Sequence, residues 1–146
     1  YGVGTSGIGA QDAQHKLFRF GWSAVAYTDN HVQMMAAAVL QPQDVVVVIC
    51  TSGRSKDLVE AAQLARRSGA KLVAITRADS PLARVADTVL HVSAPEDGNT
   101  YTPMLSRLLL LLVVDMLAIG LALHLGEPAS RMLECAKNSV KPRRLP

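Results

Sequence analysis

Five successive β-branched residues, Val45-Val46-Val47-Val48-Ile49, constrain this chain more than any other feature. A strand with one face in water alternates apolar and polar side chains, and this run has no polar position. A strand apolar on both faces must be covered on both, as a central strand of a parallel sheet is. Cys50-Thr51-Ser52-Gly53-Arg54-Ser55 turns the chain directly afterwards, and a helical pattern follows with Leu58, Ala61, Ala62 and Ala65 on its inner face. Asp57 and Glu60 suit the first turn of that helix, Arg66 and Arg67 its last, and Gly69 its end.

The alternation extends along the chain. A short first strand ends near Val3, and a glycine-rich turn leads into a helix with Ala10, Ala13, Leu17 and Phe20 on one face, stopped by Gly21. Ala24 to Tyr27 reads as a second strand. Asp29 or Asn30 caps a second helix carrying Val32, Met35, Ala36 and Val39, and Pro42 closes it. Lys71 to Thr76 is the fourth strand, Ser80-Pro81 starts a short helical turn, and Thr88 to Val92 is the fifth strand. Thr102-Pro103 opens a long helix to Leu125, ended by Gly126. Pro128 starts another with Ala129, Met132, Leu133, Ala136 and Val140 on one face. The expected fold is α/β: a three-layer α-β-α sandwich with a five-stranded parallel sheet in flavodoxin-like order 2-1-3-4-5.

At 146 residues and 49% apolar content the chain suits one domain with a sizeable core and is not intrinsically disordered. That domain is expected over residues 1–126, with a C-terminal helix and basic tail over 127–146. Residues 1–125 hold 10 Lys/Arg against 10 Asp/Glu, and residues 126–146 hold 5 against 2, so the net charge of +3 sits in the tail. A domain that itself grips nucleic acid carries a basic face in its body, and this one has none evident in sequence. Two cysteines are too few for a disulfide framework, and no Cys/His spacing suggests a metal or calls for a cofactor. Leu108 to Leu123 is the most apolar stretch, but Asp115 splits it into runs of seven and eight. A membrane span needs about 20 apolar residues, so a helix in a core or subunit interface is expected, with no membrane partner. The start, Tyr1-Gly2-Val3-Gly4, lacks Met and a basic leader and reads as a strand cut into, as in a fragment of a longer protein.

In such sheets ligands bind beyond the C-terminal strand ends, where strands 1 and 3 diverge. The loops there are Gly2-Val3-Gly4-Thr5-Ser6-Gly7 and Cys50-Thr51-Ser52-Gly53-Arg54-Ser55. Both carry hydroxyls and glycine, and both open a helix, whose first N–H groups and positive dipole end attract anions. Together they make a cradle for a phosphate on a small polyhydroxylated body. The rival is a dinucleotide fingerprint, Gly2-x-Gly4-x-x-Gly7, with Asp29 as the ribose acid. Ordinary turn and cap duties for Ser55 and Asp29 are a further alternative.

In order and spacing, Gly-Val-Gly-Thr-Ser, the polyvaline strand into Thr-Ser-Gly-Arg-Ser, Ala-Lys-Leu-Val-Ala-Ile-Thr, Ser-Pro-Leu-Ala and Ala86-Asp87 resemble the sugar isomerase (SIS) domain. Asp12-Ala13-Gln14-His15-Lys16, Asp29-Asn30-His31, Pro95-Glu96-Asp97 and Ser106-Arg107 running into Val114-Asp115-Met116 resemble the RpiR type of bacterial regulator. The resemblance implies a cytoplasmic phosphosugar-sensing domain that reaches DNA only through an N-terminal DNA-binding domain absent here. Within that type the likeness is to repressors of hexose catabolism, which implies 2-keto-3-deoxy-6-phosphogluconate as effector. Carried over by position, the ligand contacts fall on Ser6, Thr51, Ser52 and Ser55. Gly4, Thr5 and Gly53 complete the two loops, and Glu96 stands after the fifth strand. Cys50 departs from the family, where Ser is common, and is expected to face the core; Ser55 stands where Thr is common.

An isomerase would need a base, for which Glu96, His31 and His15 are the candidates. A solvated or hydroxyl-binding Glu96 is the preferred reading, so the domain is expected to sense rather than catalyse. Arg54 stands in the phosphate loop, open between ligand and solvent. Arg107, near the start of the long helix, is either an anion partner or an intersubunit ion pair. A homodimer or higher oligomer is expected from that apolar helix.

Overall fold

The structure is a computed structural model that describes residues 1–93 and 104–141. In chain order the elements are α1 (Thr5–Leu17) with a 3-10 turn (Phe18–Phe20), α2 (Asn30–Ala38), β1 (Val45–Ile49), α3 (Lys56–Arg67), β2 (Lys71–Thr76), α4 (Pro81–Val85), β3 (Thr88–His91), α5 (Met104–Leu125) and α6 (Glu127–Val140).

The three strands form a parallel sheet in the order β1-β2-β3, with Val45 opposite Lys71 and Val73 opposite Thr88. Five strands were expected. The two runs near Val3 and at Ala24–Tyr27 are not strands, and the contacts they do make are few. The Tyr1 nitrogen donates to the Val47 carbonyl (2.6 Å), the Ile49 N–H donates to the Tyr1 carbonyl (2.8 Å), and Gly2 N–H donates to Tyr27 O (3.3 Å). Gly4 then bends the chain into α1, so the first run is too short to build a ladder.

Helices cover both sheet faces, as the polyvaline run demands. Val46 and Val48 of β1 join Leu72 and Ala74 of β2 against Leu58, Ala61, Ala62 and Ala65 of α3, Ala37 of α2 and Leu82 of α4. On the other face Ile49 and Ile75 meet Ala10 and Ala13 of α1 and Leu110 and Val114 of α5. All four predicted inner residues of α3 are buried. The helix stops fall where glycines take positive φ, at Gly21 (80°) and Gly69 (95°). Asp87 brackets Leu72: its Oδ2 accepts from Leu72 N–H (2.8 Å) and its own N–H donates to Leu72 O (2.9 Å).

Three helices bury only a narrow face. In α2 the buried residues are Gln33 and Ala37, while Val32, Met35 and Val39 are exposed. In α5 only Ser106, Leu110 and Val114 are buried, so the helix covers the sheet with one face rather than lying inside a core. Of the apolar face of α6 only Ala129 is buried. Among the described residues α5 is the one helix long and apolar enough to cross a membrane. Its Asp115 is paired with Lys16 of α1 at 3.1 Å.

Candidate functional site

The first loop turns through Gly4, which holds φ 54°, ψ −129°, a conformation that side chains strongly disfavour. Ser6 and Gly7 N–H both donate to Val3 O (3.1 and 3.2 Å), which winds the chain into α1. A Cβ on Gly2 would lie 2.5 Å from Ser6 O, so the residue before the turn must also be glycine. Gly4, at the N-cap of α1, provides no side-chain cap, and the first turn of α1 holds no acid. Thr5 and Ser6 are half-buried at that helix end.

The second loop is pinned from beneath. Gly53 holds φ 62°, and a Cβ there would lie 2.2 Å from Ser80 Oγ and 2.4 Å from Thr76 Oγ1. Its N–H donates to Cys50 O (3.0 Å), and its carbonyl accepts from Leu82 N–H (3.1 Å). Ser80 caps α4 through Ala83 N–H (3.1 Å) and lies 3.2 Å from the Thr76 hydroxyl. The loop thus rests on a hydroxyl pair at the end of β2. Cys50 is buried, as expected of the residue closing β1, with its sulfur 3.7 Å from Ser52 Oγ. Ser52 is exposed, and its Oγ accepts from Arg54 N–H at 3.3 Å. Ser55 occupies the N-cap of α3, yet its side chain makes no cap bond. The reading of Ser55 as an ordinary cap therefore fails, and the first N–H groups of α3 keep their capacity for an anion.

Tyr1 is bonded to β1 in the pattern of a parallel neighbour, and the two loops leave these neighbouring segments at the same end. The start of α2 adjoins the second loop: Asn30 Nδ2 donates to Asp57 Oδ2 (2.6 Å) in the first turn of α3. Asp29 caps α2, its Oδ1 accepting from Val32 N–H (2.9 Å), which is the ordinary duty weighed against the ribose-binding role of the dinucleotide rival.

The remaining sequence candidates separate from the cradle. Glu96 lies outside the described residues. His15 is exposed, ten residues along α1 from Thr5 (about 15 Å of helix), and packs edge-on against Phe18. His31 and Arg54 are exposed near the loops, and Arg107 is exposed in the first turn of α5. Among the described residues no group of His, Cys, Asp and Glu is arranged to hold a metal. Sequence reasoning missed Thr76, Ser80 and Gln33. The first two were visible only as the end of a strand and the start of a helical turn. Gln33 is wholly buried, and its Nε2 donates to Gly2 O (3.1 Å) and Tyr27 O (2.8 Å).

A parallel sheet covered on both faces, with two hydroxyl-bearing loops feeding helix N-termini at the same end, defines an α/β module of the open parallel-sheet class. The SIS domain profile matches residues 1–120, and the chain belongs to that family. It is 43% identical, over all 146 residues, to the HTH-type transcriptional regulator HexR of Pseudomonas aeruginosa, and covers 51% of that protein. It thus spans about half the length of this curated relative. Among solved structures, the Vibrio vulnificus NanR protein complexed with ManNAc-6P superposes with a TM-score of 0.88 at 25% identity, covering 99% of this chain and 56% of that one. The sugar isomerase domain of an RpiR transcription factor from Sphaerobacter thermophilus superposes with a TM-score of 0.80 at 27% identity, covering 94% and 75%. The chain is thereby an SIS domain of the kind found in RpiR-type regulators.

Proposed function

We propose that this domain is the effector-sensing part of a cytoplasmic transcriptional regulator of sugar catabolism, and that it binds an acidic sugar phosphate between its two hydroxyl loops. The observation that carries the reading is the pair of helix starts at Gly4 and Ser55, neither closed by its own side chain. The phosphate takes the hydroxyls of Thr5, Ser6, Thr51, Ser52 and Ser55 and the first N–H groups of α3, while Gly4 and Gly53 let the backbone approach. 2-Keto-3-deoxy-6-phosphogluconate is the effector proposed, on the likeness to HexR along the whole chain. The NanR structure holds another sugar phosphate, which supports the ligand class. DNA is reached through a separate N-terminal domain, and sensing is by linkage: the ligand favours one arrangement of the protein by its differential affinity and so changes how the DNA-binding parts are presented.

A second copy of this chain is the partner proposed for α5. Met104, Leu108, Leu112, Met116, Ile119 and Leu123 form an exposed stripe at spacings of three and four. A 22-residue helix is about 33 Å long. An apolar face of that length approaches the roughly 800 Å² per partner that a stable interface buries.

Calorimetric titration with 2-keto-3-deoxy-6-phosphogluconate, other sugar phosphates and NAD tests the ligand. Binding of the sugar phosphate is expected, weakened by about 1–3 kcal/mol in Ser52→Ala, the range for a lost hydrogen bond to a charged group. Unchanged affinity in the double variant Ser6→Ala, Ser52→Ala would remove the cradle, and binding of NAD alone would replace the sugar phosphate as ligand. Turnover of a sugar phosphate, lost in Glu96→Gln, would turn the sensor into an isomerase.

A further inference from the structure

A glutamine with no exposed surface stands in the middle of a helix otherwise made largely of Ala, Met and Val. Its Nε2 reaches two backbone carbonyls at once, those of Gly2 and Tyr27, while its Oε1 is buried without a protein partner. Two carbonyls can be met only by a donor, so the amide's orientation is chemically forced. A buried acceptor without a partner is costly, and Leu or Met would fill the space without that cost. The acceptors it serves explain why an amide stands there. Gly2 O belongs to the peptide that opens the first loop, and Tyr27 O also accepts the Gly2 N–H at 3.3 Å. On the far side of the same peptide, a Cβ on Gly7 would come within 3.4 Å of Gly2 O and 3.2 Å of Thr28 Cγ2.

We propose that Gln33 is a positioning residue of the candidate ligand site: it clamps the Gly2 peptide at the angle from which Gly4, Thr5 and Ser6 turn into α1. It touches no ligand, and it acts by fixing where the first helix start points. Its importance for binding rests on the sugar-phosphate reading of the loops; the clamp itself does not. In a rigid cradle the N–H groups stand ready at the anion's position, and a loosened one must be ordered on binding.

Two variants and the unaltered domain test it. Gln33→Leu removes both hydrogen bonds, and Gln33→Glu keeps the shape while placing a carboxylate before two carbonyls. Amide hydrogen exchange without ligand should quicken at least about tenfold over residues 2–7 in either variant, while the α3 amides keep their protection. Titration with 2-keto-3-deoxy-6-phosphogluconate should then show Kd raised about fivefold, equivalent to one lost hydrogen bond of average strength. In the unaltered domain the Gln33 side-chain amide protons should exchange slowly, which checks the clamp even if neither variant folds. Side-chain amide exchange at the rate of free glutamine overturns the proposal. So does unchanged exchange over residues 2–7 in a folded variant, or exchange that rises equally in the loop and in α3. Failure of the unaltered domain to bind any sugar phosphate defeats the function above and leaves the exchange results to decide the clamp.

Discussion

Gly4 and Gly53 both hold positive φ, but their surroundings differ. Nothing lies within 4 Å of a Cβ on Gly4, whereas one on Gly53 would overlap the Ser80 and Thr76 hydroxyls. Gly4→Ala should therefore cost only backbone strain, about 1–3 kcal/mol. Gly53→Ala should cost about 2–5 kcal/mol, strain plus overpacking. Urea unfolding of the two variants measures the difference, and equal losses would contradict the packing beneath the second loop. At this scale the sequence announced the loops, because glycine and hydroxyl residues ahead of a helix advertise a turn that opens it. Gln33 was silent there. A single glutamine in a helix carries no pattern, and its partners are carbonyls of Gly2 and Tyr27 that only the folded chain brings near it.

Helix α1 packs against α5 through Ala10 and Ala13, and one lysine adds ion pairs to that contact. Burial works against the charge on Lys16, but hydrogen bonds and charge from Asp12 and Asp115 outweigh it, so its pKa lies above the ordinary 10.5. A raised lysine pKa stabilises the folded state below the unfolded value, and that contribution is lost as pH climbs through the folded one. Thermal unfolding of Lys16→Met should therefore fall below that of the unaltered domain from neutral pH up to about 10.5, and the gap should close above it. A gap constant to pH 12 would deny the ion pairs their role. Among the elements, β1, β2 and α3 were legible at both ends, since their apolar runs and flanking glycines agree. The face of α2 was not. Val32, Met35 and Val39 have helical spacing, but that stripe is exposed and the amide face turns inward. Periodicity finds a stripe without saying which side of the helix the rest of the fold will cover. The first two expected runs differ for another reason: Gly4 turns the first into α1 after three residues, and the second shares one backbone hydrogen bond with it, Gly2 N–H to Tyr27 O.

Over the whole molecule, the two-sided cover of the sheet followed directly from five β-branched residues, while the reach of α5 did not. Its apolar composition suggested burial, and the single chain buries only the face built on Ser106, Leu110 and Val114. A second copy is the occupant proposed for the remainder, so light scattering after size exclusion should return twice the mass of 15.6 kDa. The variant Leu112→Asp, Met116→Asp should return the single mass with its far-ultraviolet circular dichroism intact. A monomer in the unaltered domain at micromolar concentration would refute the interface. The Asp87 bracket around Leu72 bears on how the molecule assembles. By joining its own carboxylate and N–H to one residue of β2, it gives the last strand a single berth, with Thr88 beside Val73. A slide of one place would turn Val89 and Leu90 to the wrong sides of the sheet. The outer margin of the sheet thus carries its own latch, and the chain can add its final strand without searching among near-equivalent moorings.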